Sequence, residues 1–225
     1  NTSKTGLINP VAIFEPVDLN GAITTRATLH NITYIKDMML GIGDRIRVYR
    51  SNMVIPKVHD SIDKSGNFKI PSKCPICGQP TRIIKENDSE VLVCENSDCK
   101  GKLLGKLVHA ASRNALDIEN LSKSTIEKFI NLGWLTSIKD IYYLKCHENE
   151  MKTLEGFGKK SVEKLLSSIE KSRNTTLDRF IYSLSIPMIG KTVSKLIAEK
   201  VNYSIREFIT TMETKRAVYF SSLDD

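Results

Sequence analysis

The sequence predicts a multidomain α+β chain: a small β-barrel, a four-cysteine metal module, then an all-α region of tandem helical hairpins. Three observations carry this reading. Short β-branched segments with turn signals fill residues 7 to 58, four cysteines in two close pairs follow between residues 74 and 99, and a glycine-containing motif recurs after residue 118. The implied boundaries are 1–70, 71–105 and 106–225. Lys and Arg number 33 against 26 Asp and Glu, a net charge of +7 that favours anionic partners such as nucleic acid. Hydrophobic residues at 40% and charged residues at 26% suit a folded chain and exclude a disordered one. No apolar run approaches the roughly 20 residues that cross a bilayer, and NTSKTGLINP lacks the apolar stretch of a signal peptide. A cytoplasmic monomer without membrane contact is expected. Beginning without Met and ending on FSSLDD, the chain reads as cut from something longer.

The first element is built from VAIFEPV, AITTRATL and RIRVYR, which have β-branched or alternating character, with turn chemistry at Asn20–Gly21 and Gly43–Asp44. NITYIKDMML between them suits one short helix. In RIRVYR the two-residue period of a strand puts Ile46 and Val48 on one face and Arg45, Arg47 and Tyr49 on the other. A small five-stranded barrel of the OB type binds nucleic acid on such a basic, partly aromatic face. Taken by itself, RIRVYR is equally an ordinary solvated strand face. The loop HDSIDKSGNFK marks a place where modules could hinge.

In the second element, CPICGQP and CENSDC supply Cys74, Cys77, Cys94 and Cys99 as C-x-x-C and C-x-x-x-x-C pairs. Tetrahedral zinc takes four thiolates, and each short-spaced pair delivers two from one tight turn. Pro75 and Gly78 suit the first turn, and Asn96, Ser97 and Asp98 the second. Disulfides are disfavoured by the odd total of five cysteines and the absent secretory signal, and a thioredoxin-like pair would open a helix after a strand. A closed four-ligand set is structural, with no position left open for catalysis. Cys146 is expected to be a partly buried free thiol, and His147 ordinary surface.

The third element repeats. LEGFGKKSVEKLL fits the helix-hairpin-helix pattern h-x-G-h-G-x-x-S, in which glycines at 156 and 158 allow a tight turn and present backbone N–H groups to a phosphate at a helix start. Lys159 and Lys160 follow. IPMIGKTVSKLI keeps Gly190 and Lys191 but has Met188 at the first glycine position, and IENLSKSTIEKFI has Asn120 and Ser122 in place of both glycines, so that copy reads as structural. Ser122, Gly158 and Gly190 lie 36 and 32 positions apart, each followed by lysine. Another step lands just past residue 225, so SSLDD reads as the start of a truncated fourth hairpin.

These segments in this order resemble the C-terminal portion of the bacterial NAD-dependent DNA ligases, over nearly the whole chain. TGLINPVAIFEPVDLNG resembles the passage from the family's nucleotidyltransferase domain into its OB domain. TTRATLHN, IGDRIRV and VIPKV are similar to the OB domain, CPICGQP and CENSDC to the zinc finger, and ASRNALDIENL and LEGFGKKSVEKLL to the helix-hairpin-helix domain. The resemblance implies an enzyme that uses NAD and Mg to seal nicks in duplex DNA through enzyme-AMP and DNA-AMP intermediates. Its nucleotidyl lysine lies in a K-x-D-G motif, which this chain lacks, so the chain itself is expected to clamp nicked DNA without chemistry and to need that N-terminal domain in cis. Arg26, Arg45, Arg47 and Arg50 are the candidate contacts on the barrel, and Gly156, Gly158, Lys159, Lys160, Gly190 and Lys191 those on the hairpins. SKTG stands where the family has G-R-T-G, and RSNMVIP where it has R-x-G-D before V-I-P, which leaves room for a divergent paralogue. The alternative is a non-enzymatic nucleic-acid-binding module of repair or recombination.

Overall fold

The computed structural model describes residues 2–214 of the 225. The SSLDD segment read as a fourth hairpin lies outside them. The chain divides into two compact units, one of residues Asn1–Gly105 and one from Lys106 onward.

The first unit holds two antiparallel-rich sheets. Strands β2 (Val11–Asp18), β3 (Ile23–Thr28), β4 (Ile46–Ser51) and β5 (Ile55–Ser61) form one sheet in the order β2-β3-β5-β4. It curls around Ala27, Leu29, Ile35, Leu40 and Val58, with Phe14, Ile46, Val48 and Phe68 packed against them. No β2–β4 pairing occurs among the described residues, so four strands form an open half-barrel where five closed ones were expected. An apolar groove of about 850 Å³ runs through the first unit, lined by Val11, Ile13 and Val17 of β2 and by Ile46 and Val48 of β4. Bulges at Ile13/Val17 and Arg47/Val48 supply the curl. The expected short helix is α1 (Ile32–Asp37), which starts where Asn31 Oδ1 accepts the Tyr34 N–H at 2.8 Å. Tyr34 Oη then donates to the Val58 carbonyl at 2.5 Å, pinning the helix to the sheet.

The proposed hinge loop is tied down. Asp44 Oδ2 accepts from Ser61 Oγ (2.8 Å), Gly41 N–H (2.9 Å) and Ser65 N–H (3.3 Å), and Asn67 bonds Ile42 on both sides of its amide. A side chain at Gly41 would lie 1.9 Å from Ser65 Oγ and 2.6 Å from Asn67 Oδ1, so both of these side chains would have to move to admit it.

The other sheet, β1-β7-β6, joins Leu7–Ile8 (β1) to Ser89–Cys94 (β7) and Thr81–Glu86 (β6). The N-terminal residues therefore pair with the cysteine module across more than 80 positions, Leu7 opposite Val93. Helix α2 (Lys100–Ala111) begins directly after Cys99.

The second unit is helical: α3 (Lys123–Asn131), a 3-10 segment Ile138–His147, α4 (Glu148–Met151), α5 (Lys159–Ser172), α6 (Leu177–Ser183), α7 (Lys191–Lys200) and α8 (Ile205–Thr214). Apolar residues at three- and four-residue steps bury one stripe of each: Ile126, Phe129 and Ile130 on α3, and Val162, Leu165 and Ile169 on α5. Leu177, Ile181, Ala198, Val201 and Phe208 close a separate cluster around α6 and α7. No helix among the described residues is long and apolar enough to cross a membrane.

Candidate metal centre and nucleic-acid interface

The four predicted cysteines converge. Their sulfurs lie within 4.8 Å of one another, with Cys77–Cys94 at 3.6 Å and Cys74–Cys99 at 4.0 Å. A zinc ion with bonds of about 2.3 Å sets tetrahedral sulfurs about 3.8 Å apart, close to the spacing of the Cys77–Cys94 and Cys74–Cys99 pairs. Local backbone explains the approach. Gly78 takes φ +70° and donates its N–H to the Cys74 carbonyl at 2.9 Å, closing the first turn. Asn96 Oδ1 accepts the Asp98 N–H at 2.9 Å in the second, which hands Cys99 to the start of α2.

The thiols differ in charge preference. Burial raises the Cys74 thiol, but the N–H groups of Cys77 and Ile76, with Thr2 and Cys94, outweigh it and bring it to about 6. The Gln79 N–H lowers Cys77. Burial pushes Cys94 up to about 12 and raises Cys99 as well. Converging sulfurs cannot all be thiolates unless a cation neutralises them, which is the demand a divalent metal meets. Sequence reasoning missed the contribution of the N-terminus to this centre. Thr2 Oγ1 lies 3.8 Å from Cys74 Sγ, the Cys94 N–H donates to the Gly6 carbonyl at 2.9 Å, and a side chain on Gly6 (φ +96°) would press on Lys102 and the Cys94 carbonyl. Nothing in local spacing signals a contact between positions 2 and 74.

Cys146 is exposed rather than partly buried, since it lies in the solvent-facing part of the 3-10 segment. His147 is more engaged than surface: its ring stacks on Trp134 at 4.4 Å, and Nδ1 sits 3.0 Å from Glu150 Oε1.

The arginines of the half-barrel separate into three situations. Arg26 stands exposed on β3 with no ion-pair partner among the described residues. Arg45, just before β4, and Arg47 on β4 are exposed as expected, but each guanidinium is held by a carboxylate. Arg45 bonds Asp63 through Nε (3.1 Å) and Nη2 (2.7 Å), and Arg47 bonds Asp60 through Nε (2.7 Å) and Nη2. The arginines hold both carboxyls below the usual range, mainly by hydrogen bonding. Arg50 shares the opposite face with Ile46 and Val48. It is half-buried, its Nε lacks a hydrogen-bond partner, and Nη2 reaches Thr24 Oγ1 only at 3.5 Å. Beside the paired arginines, Tyr49 and His59 form an exposed edge-to-face pair at 6.0 Å. His59 was also missed, because a bulge decides which face it takes.

The three repeats share a backbone. Asn120, Gly156 and Met188 occupy the first turn position with φ of +64°, +83° and +63°. Two residues later Ser122, Gly158 and Gly190 are the N-caps of α3, α5 and α7, and their carbonyls accept from Ile126, Val162 and Ser194 at 2.9, 3.1 and 2.9 Å. The chemistry of the caps differs. Ser122 Oγ accepts the Thr125 N–H at 3.2 Å, so the first copy satisfies its own helix start. Gly158 and Gly190 have no side chain to do so, although Ser161 Oγ accepts the N–H of Gly158 itself at 2.9 Å, and their first turns carry exposed Lys159, Lys160 and Lys191. Such a start attracts anions through oriented N–H groups and the helix dipole.

Residues 1–68 match the family described as the NAD-dependent DNA ligase OB-fold domain. The DNA ligase of Lachnoclostridium phytofermentans is 44% identical over 92% of this chain and 32% of its own length. Those of Ruminiclostridium cellulolyticum (43%, over 89% of this chain and 31% of the relative) and Acetivibrio thermocellus (40%, 88% and 30%) are similar. The chain belongs to the NAD-dependent DNA ligase family. It spans about a third of the length of the curated ligases it matches. The family match ends before Cys74, so the link from the cysteine cluster and the helical repeats to the ligases comes from the long relatives.

Proposed function

We propose that this chain is the DNA-clamping portion of an NAD-dependent DNA ligase, organised as an OB domain (1–70), a zinc finger (71–105) and a helix-hairpin-helix domain (106–225). The observation that carries the reading is the pair of helix starts at Gly158 and Gly190 that lack an N-cap side chain, each followed by exposed lysine, in a chain whose relatives are ligases. Gly156 lets the turn present those N–H groups, and Lys159, Lys160 and Lys191 add charge at the same place. Contacts of this kind grip the sugar-phosphate backbone without reading sequence. On the half-barrel, Arg26 is available at once, Arg50 is half-buried with its unpaired Nε shut off from solvent, and Arg45 and Arg47 must exchange a carboxylate for a phosphate. Zinc held by Cys74, Cys77, Cys94 and Cys99 supplies structure alone, cross-linking the N-terminal strand, the β6–β7 hairpin and the start of α2.

In the parent, NAD and Mg serve a nucleotidyltransferase domain that adenylates its own lysine and then the nick, while this monomeric, cytoplasmic portion holds the duplex. The clamp predicts tighter binding to nicked duplex than to an acidic polymer of equal charge, with affinity falling steeply as salt rises. Equal, weak binding to both would reduce the hairpins to packing motifs. Two departures, SKTG and RSNMVIP, leave room for a divergent paralogue, and the second reading is a non-enzymatic repair or recombination module. Adenylation of the full-length protein by NAD, measured against ATP, separates the two.

A further inference from the structure

The two ends of the first unit meet. Residues 2–8 form a strap that lies along α2, the helix that carries the chain past Gly105 into the second unit. The approach is closest at two glycines of that helix. A side chain on Gly101 would lie 2.9 Å from Thr2 Cβ, and one on Gly105 would lie 2.5 Å from the Lys4 backbone nitrogen and 2.8 Å from Lys4 Cα. At Gly105 the obstacle is backbone, which cannot swing aside as a side chain can. Four positions apart, the two glycines share one helix face. Glycine inside a helix is otherwise destabilising relative to alanine, and here that weakness is confined to the face on which the strap is seated.

The strap is tied along the rest of its length. Ser3 N–H donates to the Leu7 carbonyl at 2.7 Å, and the Leu7 N–H donates to Ser3 Oγ at 3.0 Å. Leu7 and Ile8 then pair with Val93 and Leu92 of β7. The strap is therefore held by the two elements that carry Cys94 and Cys99. The half-barrel reaches the same strand by a separate route, where Thr33 Oγ1 accepts the Glu90 N–H at 2.8 Å and Lys36 pairs with Glu90. Thr2 and Gly101 are 99 positions apart in sequence, yet the path between them through space is a single contact that leaves the half-barrel aside. Coupling between distant parts of a protein is carried by contiguous packing of this kind.

We propose that the strap and α2 form a bypass joint, in which Gly101 and Gly105 are positioning residues that set the nucleotidyltransferase portion of the parent against the hairpin-bearing portion while a nick is sealed. This rests on the ligase reading above. The half-barrel can then shift on the duplex without loosening the connection between the portions on either side of it.

The test is Gly105→Ala, alone and with Gly101→Ala, made in this chain and in the full-length protein. In this chain, hydrogen exchange read by mass spectrometry is expected to accelerate about tenfold across residues 3–8, with the β6–β7 hairpin and the zinc content unchanged. Ser3→Ala leaves the groove open and removes only the bond from the Leu7 N–H, so it gives a smaller rise. In the full-length protein, adenylation by NAD stays at the wild-type level and affinity for nicked duplex stays within about twofold. Sealing by the adenylated enzyme slows about a hundredfold, the scale of a misplaced reacting group. A packing role alone would lower the melting temperature and leave that sealing rate unchanged. Sealing at the wild-type rate with the strap released overturns the joint and leaves the ligase reading standing. Unchanged exchange in Gly105→Ala overturns the groove contact and the joint with it. Loss of zinc, or adenylation that falls together with sealing, also overturns the joint, because the variants then damage more than the contact. A wild-type full-length protein that NAD does not adenylate overturns the ligase reading and the joint together.

Discussion

Two cationic surfaces that look alike in sequence differ in what their charge is free to do. At and just before the start of β4 in the half-barrel, Arg47 and Arg45 are each forked onto a carboxylate of the neighbouring segment, Asp60 and Asp63. At the starts of α5 and α7, Lys159, Lys160 and Lys191 are exposed beside glycine caps that leave N–H donors for an anion. A phosphate reaching the lysines adds a partner, whereas one reaching the arginines must displace a partner. Counting basic residues therefore measures the potential for binding, and their carboxylate neighbours decide how much of it is available.

The largest expected effect breaks the comparison at its support. Removing metal with a chelator, or replacing Cys94 and Cys99 by serine, removes the binding free energy of a structural zinc site, of the order of 10 kcal/mol, from the first unit. Its β-sheet signal in circular dichroism then melts while the helical signal of the second unit persists. Next in size, Asp60→Asn with Asp63→Asn frees both arginines, and affinity for nicked duplex in 0.1 M salt rises roughly three- to tenfold, with a steeper salt dependence. Mild acidification does not imitate the double variant. The pairs lower the folded-state pKa of both carboxyls, so their stabilisation is complete above the ordinary carboxylate value near pH 4 and is lost only as pH falls through the lower folded value. A titration from pH 7 to 5 with unchanged affinity checks this. The smallest effect concerns the self-capped repeat. Ser122→Ala costs about 1 kcal/mol of stability in thermal melts through the lost N-cap bond and leaves DNA affinity within about twofold.

Local pattern made much of this legible. The cysteine pairs announced their cluster because each pair sits in one turn, and the N-caps of α3, α5 and α7 were readable as one repeated position even where Ser122 and Met188 break the consensus. The α1 helix and the faces of Arg45, Arg47 and Tyr49 followed from period and parity. What escaped depends on contacts between distant segments. Leu7 pairing with Val93, Thr2 beside Cys74, and Asp60 and Asp63 on the arginines are set by how sheets assemble, which no short window records. Arg50 was grouped with Arg45 and Arg47 by proximity in sequence, although strand parity places it with Ile46 and Val48. The open edge between β2 and β4 likewise arises from strand order rather than from any single strand.

The central claim is that the free lysines at the glycine-capped helix starts carry the grip on DNA. Its most direct test is the salt dependence of nicked-duplex binding for the wild-type chain and for Lys159→Gln with Lys160→Gln. Two lost phosphate contacts predict a log–log slope shallower by about 1.8 and roughly 50-fold weaker binding at 0.1 M salt, for every duplex sequence. An unchanged slope, with binding still strong, would contradict the claim and move the grip to the arginines of the half-barrel.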